Sequence, residues 1–142
     1  MKTLREVMRP NFLFVVLPTA TVAEAVRLMT EHNVGIVAVL DRDALIGVLS
    51  ERDVARRVVD ARRPPERTSV AEVMTTTLVT ADAEDDYRSA MRKMDEANIR
   101  HLPVMDGGRL VSMLSIRDLM RVEIVAQGEE LRQLQDYLYS GR

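Results

Sequence analysis

The sequence predicts an α/β protein made of two similar halves. An alignment of residues 24–57 with residues 89–122 at a constant offset of 65 gives 13 identities in 34 positions, where chance gives about two or three. Each half places one helical pattern among short apolar runs, the alternation expected of mixed α/β folds. With 142 residues, of which 46% are hydrophobic, the chain can bury one compact core. We therefore expect two β-α-β-β-α repeats, related by a pseudo-twofold axis and packed through their sheets.

The first predicted element is a strand at residues 12–17, an apolar run that Pro18 ends. Basic residues precede this run, as they precede the hydrophobic region of an export signal, but the run is shorter than such a region. The repeat favours a strand, because Glu-Val-Met stands before it at residues 6–8 and again at 72–74, before the equivalent strand at 78–80.

One helix is predicted in each half. Thr21 and Glu24 form a capping-box signature, and apolar residues follow at helical spacing, which predicts a helix at residues 22–33. The equivalent helix is predicted at residues 85–98, where apolar side chains again share one face. That face carries Ala90, Met91 and Met94.

Two short strands follow each helix and are expected to pair as hairpins. The predicted pairs are 36–40 with 45–49 and 101–105 with 110–114. Gly107 and Gly108 give the second hairpin the residues that a tight turn requires, whereas the first hairpin turns at residues 41–44 without glycine. Ser50 and Ser115 then stand where a strand gives way to a helix, as N-cap residues do.

The sequence Ser-x-Arg-Asp occurs at both of these strand-to-helix junctions. The residues are Ser50, Arg52 and Asp53 in the first half and Ser115, Arg117 and Asp118 in the second. The N–H groups of a helix start suit a phosphate, with the serine hydroxyl and the arginine as further donors. A carboxylate one turn later can accept hydrogen bonds from the two hydroxyls of a ribose. Because Ser-x-x-Asp is also a good helix cap, and duplication would copy a cap, the residues alone leave a nucleotide site and a plain cap both open.

Several segments together resemble a tandem pair of cystathionine-β-synthase (CBS) domains, the Bateman module. The resemblance is carried by residues 50–57, 99–104 and 129–138 and covers nearly all of the chain. It implies a sensor that binds AMP, ADP or ATP, or less often another adenosyl compound, as a regulatory ligand and not as a required cofactor. It also implies a homodimer in which four CBS repeats form a disc.

The same resemblance divides the chain and assigns its site. It implies a first CBS repeat with its linker at residues 1–67, a second repeat at 68–125 and a helical tail at 126–142. The ribose-binding aspartate corresponds to Asp53 and Asp118, and the serine on the phosphate side to Ser50 and Ser115. The residues implied around the base are Val34, Gly35 and Ile36, then Ile99, Arg100, His101, Leu102 and Pro103, and the backbone near Phe14, Val15, Leu78 and Val79.

Some positions depart from the family pattern. Ala38 stands where the second repeat has Pro103, and Ser112 replaces a common glycine. Arg117 occupies a position where glycine is frequent in this subgroup. An arginine there could hold a phosphate or crowd the pocket, and both readings stay open.

Composition argues against several classes of function. The formal net charge is −2 with the signs mixed, so we expect neither nucleic acid nor a membrane as partner. The arginines at residues 52–67 alternate with acids and favour a solvated helix face over a nucleic-acid surface. There is no cysteine, and His32 and His101 lack the paired spacing of a metal site. With no apolar run of the roughly 18 to 20 residues that a membrane helix needs, we expect a soluble, cytoplasmic protein.

Three classes of function remain, and we rank them. The first is a regulatory module that senses adenine nucleotides and signals to a partner protein by changing its arrangement. The second is a constitutive interaction or dimerisation module with degenerate pockets, in which an apolar tail stripe, interrupted by Gly128, packs on the dimer mate. That stripe consists of Ile124, Leu131, Leu134 and Leu138. An enzyme ranks last, because no nucleophile and base can be assembled from the sequence.

Overall fold

Two three-stranded sheets organise the part of the chain that the computed structural model describes, residues 2–8 and 13–140. The first half contains α1 (Leu4–Val7), β1 (Val15–Val16), α2 (Val22–His32), β2 (Ile36–Asp41), β3 (Ala44–Ser50), α3 (Glu51–Val54) and a π-helical turn (Ala55–Val59). The second half contains α4 (Val70–Val73), β4 (Ala81–Asp82), α5 (Tyr87–Ala97), β5 (His101–Asp106), β6 (Arg109–Ser115) and α6 (Ile116–Ser140).

The two sheets have the same topology. In each, a short first strand runs parallel to the middle strand, and the middle strand pairs antiparallel with the third. The register shifts at equivalent places, after Val39 in the first sheet and after Val104 in the second. Strands β3 and β6 contact each other, so the halves pack together through their sheets. The predicted α/β class is confirmed.

The predicted central helices are confirmed, and their ends follow from the backbone. Thr21 caps α2 by accepting a hydrogen bond from the Glu24 N–H at 3.1 Å, as the capping-box signature predicts. Asn33 and Asn98 end α2 and α5 in the left-handed conformation, each with φ of 53°. Asparagine tolerates this conformation better than most residues, which explains why both helices stop at the same repeat position.

Both hairpins turn as predicted, although only one contains glycine. Gly107 and Gly108 have φ values of 58° and 82°. In the first hairpin Arg42 and Asp43 take up the same conformation, with φ values of 49° and 70°. The turn geometry is therefore set by the two-residue connection between the strands, and the first repeat adopts it without glycine.

The predicted first strands are only partly correct. In the first half, β1 covers two of the residues predicted at 12–17, of which Phe12 lies outside the described residues. In the second half the prediction of 78–80 is wrong, because β4 begins at Ala81. The cause is Pro103: the equivalent Ala38 donates its N–H to the Phe14 carbonyl at 2.9 Å, whereas a proline has no N–H to donate.

Each short leading helix packs on the core of the other half. Leu4 of α1 is fully buried in the core of the second half, and its N–H donates to the Asp85 carbonyl at 2.8 Å. Val70 of α4 is buried in the core of the first half, with its N–H on the Ala20 carbonyl at 2.8 Å. The halves are thus joined by exchanged segments as well as by their sheets.

The tail continues the last helix of the second repeat. Helix α6 runs for 25 residues through Gly128 without a break, so the predicted boundary between 125 and 126 falls within one helix. Ile124, Leu131, Leu134 and Leu138 are all more than half exposed. None of the helices among the described residues combines the length and apolar character needed to cross a bilayer.

Candidate functional site

Two cavities lie on either side of a shared wall between the halves. Gly35, Ile36, Arg100 and His101 line both of them. The first, which we call the Asp53 cavity, has a volume of about 290 Å³. The second, the Asp118 cavity, has a volume of about 450 Å³.

The predicted site residues fall into these two cavities, with two exceptions, Val15 and Leu102. Those lining the Asp53 cavity, apart from the shared wall, are Ser50, Arg52, Asp53, Val79, Ile99 and Pro103, together with Leu78. Those lining the Asp118 cavity are Val34, Ser115, Arg117 and Asp118, together with Phe14. Val15 lines neither cavity, because the strand alternation turns its side chain away from the neighbouring Phe14. Leu102, which the resemblance also implied, is fully buried in the core.

Each cavity is lined by a helix start from one half of the chain and by a segment before or within the middle strand of the other half. The serine and aspartate at the start of α3 face the segment 99–103 of the second half. The serine and aspartate at the start of α6 face residues 33–36 of the first half. Sequence reasoning identified both sets but did not say which belongs with which, because the pairing depends on how the sheets pack.

The serines cap their helices as predicted. The Ser50 hydroxyl accepts from the Asp53 N–H at 3.1 Å, and Asp53 Oδ2 accepts from the Ser50 N–H at 2.9 Å. The same reciprocal pair joins Ser115 and Asp118, at 3.1 and 3.0 Å. In both copies one carboxylate oxygen is committed to the cap, so any ligand would depend mainly on the other oxygen.

The second carboxylate oxygen of Asp53 accepts a hydrogen bond from Thr75. The Thr75 hydroxyl donates to Asp53 Oδ1 at 2.8 Å, and the carboxylate is buried, with 8% of the residue exposed. Thr75 is held in place by two backbone hydrogen bonds with Val48, at 2.8 and 3.0 Å. Sequence reasoning missed Thr75 because the repeat gives no signal there: Thr75 follows the second Glu-Val-Met, and the residue that follows the first is Arg9, which has no hydroxyl.

Asp118 keeps its second oxygen open. Within residues 2–8 and 13–140, the Ser115 N–H is the only donor that forms a hydrogen bond with this carboxylate. The residue is half-buried and faces the larger cavity. An acceptor of this kind, placed one turn after a capping serine, suits the hydroxyls of a sugar.

Arg117 lines the Asp118 cavity. Its side chain is exposed, and the cavity is the larger of the two. Both predicted roles of Arg117, holding a phosphate and crowding the pocket, stay predictions. Arg121, which the sequence analysis did not single out as a site residue, lines the same cavity one turn further along α6.

His101 stands in the wall between the cavities, and burial lowers the pKa of its imidazole below the ordinary value. Arg100 lowers this pKa further, whereas the carboxylates of Glu51 and Asp118 oppose the shift. A lowered pKa means that the folded protein binds this proton more weakly than the unfolded chain. Near neutral pH the imidazole is uncharged and can donate or accept a single hydrogen bond at each nitrogen.

We expect this histidine to make stability depend on pH. Above the ordinary histidine pKa of about 6.5, the imidazole is neutral in both the folded protein and the unfolded chain, and His101 costs no stability. As the pH falls below this value, the unfolded chain takes up the proton first, so the free energy of unfolding decreases. His101→Gln should therefore flatten the decline in melting temperature between about pH 7.5 and pH 5.5. Thermal melts of both proteins across that range test this, and parallel pH curves for the two would contradict it.

Comparisons with known proteins identify the family of this chain. The family model of the CBS domain matches residues 4–60 and 70–124. The mitochondrial CBS domain-containing protein CBSX3 of Arabidopsis thaliana is 36% identical over 126 residues, which are 85% of this chain and 61% of that protein. This chain therefore spans less than two thirds of that relative.

Solved structures share the fold. A CBS-domain protein of Burkholderia ambifaria MC40-6 has a TM-score of 0.82 and 33% identity, and the match covers 89% of this chain and 96% of that one. The structure of CBSX2 in complex with AMP has a TM-score of 0.76 and 25% identity, covering 89% and 99% of the two chains.

Proposed function

We propose that this chain, which belongs to the CBS-domain family, is a regulatory module that binds adenine nucleotides in the cavities between its two repeats. The observation that carries the proposal is the open carboxylate of Asp118, which faces a cavity beside a capping serine. The role is binding and signalling, without a chemical step. The ligand is regulatory and not a required cofactor.

The choice of an adenine nucleotide has two supports. At the start of α6 the N–H groups of Ser115, Ile116 and Asp118 already donate within the protein. A phosphate would therefore be bound by the Ser115 hydroxyl and the Arg117 side chain, and a ribose fits the Asp118 acceptor one turn on. The CBSX2 structure contains AMP in a chain of the same fold. AMP, ADP and ATP all satisfy these requirements.

Signalling requires that the ligand favour one of two arrangements of the module. In the Asp53 cavity a ribose would compete with the Thr75 hydroxyl for Asp53 Oδ1. Arg57 donates to the carbonyls of Val73 and Met74 at 3.1 and 2.9 Å, so the chain just before Thr75 is tied to the first repeat. Ligand binding there would therefore act on the junction between the repeats, from which a partner protein could detect it.

We further propose a homodimer that uses the helical side of each repeat. Val59 and Ile124 occupy equivalent positions, 65 residues apart, and are 68% and 66% exposed. Met120 adds to the same side of the second repeat, at 49% exposure. Apolar side chains exposed at repeat-related positions favour a symmetric partner, and a second copy of the chain is the simplest one. Location in the cytoplasm and the identity of the regulated protein stay predictions.

One observation favours a second candidate, a constitutive interaction module. Thr75 already satisfies Asp53, as a degenerate pocket would require. The far part of α6 exposes Leu131, Leu134 and Leu138, which could bind a partner with no ligand present. The Asp118 cavity has no such internal substitute among the described residues, and we therefore rank this candidate second.

Thermal melts with AMP, ADP, ATP and adenosylmethionine separate the two candidates, with GMP as the control for the base. At a hundredfold excess over the dissociation constant, binding adds about 2.7 kcal/mol to the free energy of unfolding. For a domain of this size the midpoint should rise on the order of 5 to 15 °C. A midpoint that none of the four adenosine compounds moves would favour the interaction module.

A further inference from the structure

We infer that the two cavities select nucleotides by the number of phosphates. The Asp118 cavity takes adenosine di- or triphosphate, and the Asp53 cavity takes the monophosphate or a less charged nucleoside. The inference rests on the proposed function and adds a division of labour between the sites. It comes from differences between the repeats, which a pair of equivalent pockets would not show.

The Asp118 cavity is strongly positive. Arg100, Arg117 and Arg121 line it against the single carboxylate of Asp118, so the described lining carries a formal charge of two positive units. All three arginines are exposed, and no hydrogen bond or ion pair within the described ranges engages their guanidinium groups. By contrast, Arg88 on the neighbouring α5 is fully engaged by Glu123 and Glu130. Three unpaired arginines around one cavity are donors available for several phosphate groups.

The Asp53 cavity has no net charge. Arg52 and Arg100 line it, but so do the carboxylates of Glu51 and Asp53. Glu51 is the decisive difference, because the equivalent residue in the second repeat is Ile116. The Glu51 carboxylate lies against the shared wall, 3.4 Å from where a Cβ on Gly35 would stand, and it acts electrostatically on His101. A second or third phosphate placed here would meet this negative charge.

The cavity volumes and the hydrogen bonds of the two aspartates also favour binding of the more highly phosphorylated nucleotide in the Asp118 cavity. The positive cavity is the larger one, at about 450 Å³ against about 290 Å³. Its aspartate is open, whereas Asp53 is bonded to Thr75. A ligand with more phosphates therefore has both more room and more donors in the Asp118 cavity.

Isothermal titration of adenosine, AMP, ADP and ATP without divalent cations tests the inference. Asp53→Asn isolates the Asp118 cavity, and there we expect ATP to bind about tenfold or more tightly than AMP, the effect of one added charged hydrogen bond. Asp118→Asn isolates the Asp53 cavity, and there AMP should bind at least as tightly as ATP. In that background Glu51→Gln should raise the affinity for ATP more than that for AMP.

A matched pair of arginine variants keeps the test independent of whether Asp53→Asn folds. Arg121→Gln should weaken ATP about tenfold while changing AMP little, whereas Arg56→Gln, at the equivalent position 65 residues earlier and outside both cavities, should change neither. Equal ATP titrations of the two variants would overturn the inference, and so would equal affinities for AMP and ATP in the Asp118 cavity. If nucleotides bind but neither cavity distinguishes AMP from ATP, only this inference is refuted. If no nucleotide binds at all, the proposed function is refuted as well.

Discussion

Replacing Leu4 with alanine is expected to lower the free energy of unfolding by about 2 to 5 kcal/mol. The residue lies close to the chain's first residue, where substitutions are usually tolerated. Here, however, its side chain is fully buried in the core of the second half, together with Leu102, Leu114 and Leu119. Alanine would leave a cavity there and would also loosen the exchanged helix α1. Urea denaturation of the variant, analysed by linear extrapolation, measures the loss.

Leu17→Ala is the matched control for this prediction. Leu17 is the same residue type, also lies in the first part of the chain, and is 62% exposed. It should change the free energy of unfolding by no more than about 0.5 kcal/mol. If both variants unfold at the same urea concentration as the parent protein, Leu4 does not contribute to the core of the second half, and the exchange of leading helices is refuted.

The exchange of α1 and α4 marks the limit of what the sequence predicts about the fold. Helix α2 and the hairpins could be predicted because their signals are local: Thr21 with Glu24 for the helix start, and two glycines for the second turn. Helix α1 has only four residues, too few to show an apolar period, so the sequence predicts neither the helix nor the burial of Leu4. It also does not say which core receives Leu4, since both halves offer similar surfaces.

The start of β4 was predicted wrongly for a different reason, because the sequence does contain the relevant residue, Pro103. Ala38 and Pro103 are equivalent, and a proline cannot donate the hydrogen bond that Ala38 gives to the Phe14 carbonyl. In the second sheet the first pair is accordingly Ala81 with Val104, one residue after the proline. A residue-by-residue comparison of the repeats predicts this shift once the missing N–H is considered.

The candidate site shows the same division between local and distant signals. The caps formed by Ser50 with Asp53 and by Ser115 with Asp118 could be predicted because the partners are only three positions apart. The contact of Thr75 with Asp53 joins residues 22 positions apart and has no copy in the other repeat. The two sites are therefore less alike than the repeated sequence suggests, and only the packed structure shows how they differ.

Replacing Asp118 with asparagine is expected to weaken nucleotide binding in the Asp118 cavity by about 10- to 150-fold, the equivalent of roughly 1.5 to 3 kcal/mol for lost charged hydrogen bonds. The asparagine carbonyl can still accept from the Ser115 N–H, so the helix cap should survive. Titration of AMP and ATP into both proteins measures the loss of affinity, and a thermal melt without ligand measures the cap.

The asparagine variant separates the two interpretations that the sequence left open, a nucleotide site and a plain helix cap. If Asp118 only completes the capping box of α6, Asp118→Asn should change neither the melting temperature nor the titration, whereas Asp118→Ala, which loses the hydrogen bond from the Ser115 N–H, should cost about 0.5 to 1.5 kcal/mol of stability. If Asp118 holds a ribose, both variants should lose the ligand and only alanine should lose stability. Asp53 offers no such clean comparison, because its carboxylate also accepts from Thr75 inside the protein, and any change there should reduce affinity and stability together. Asp118 is therefore the position at which the ribose assignment is most directly refuted, by equal titrations of the parent protein and the asparagine variant.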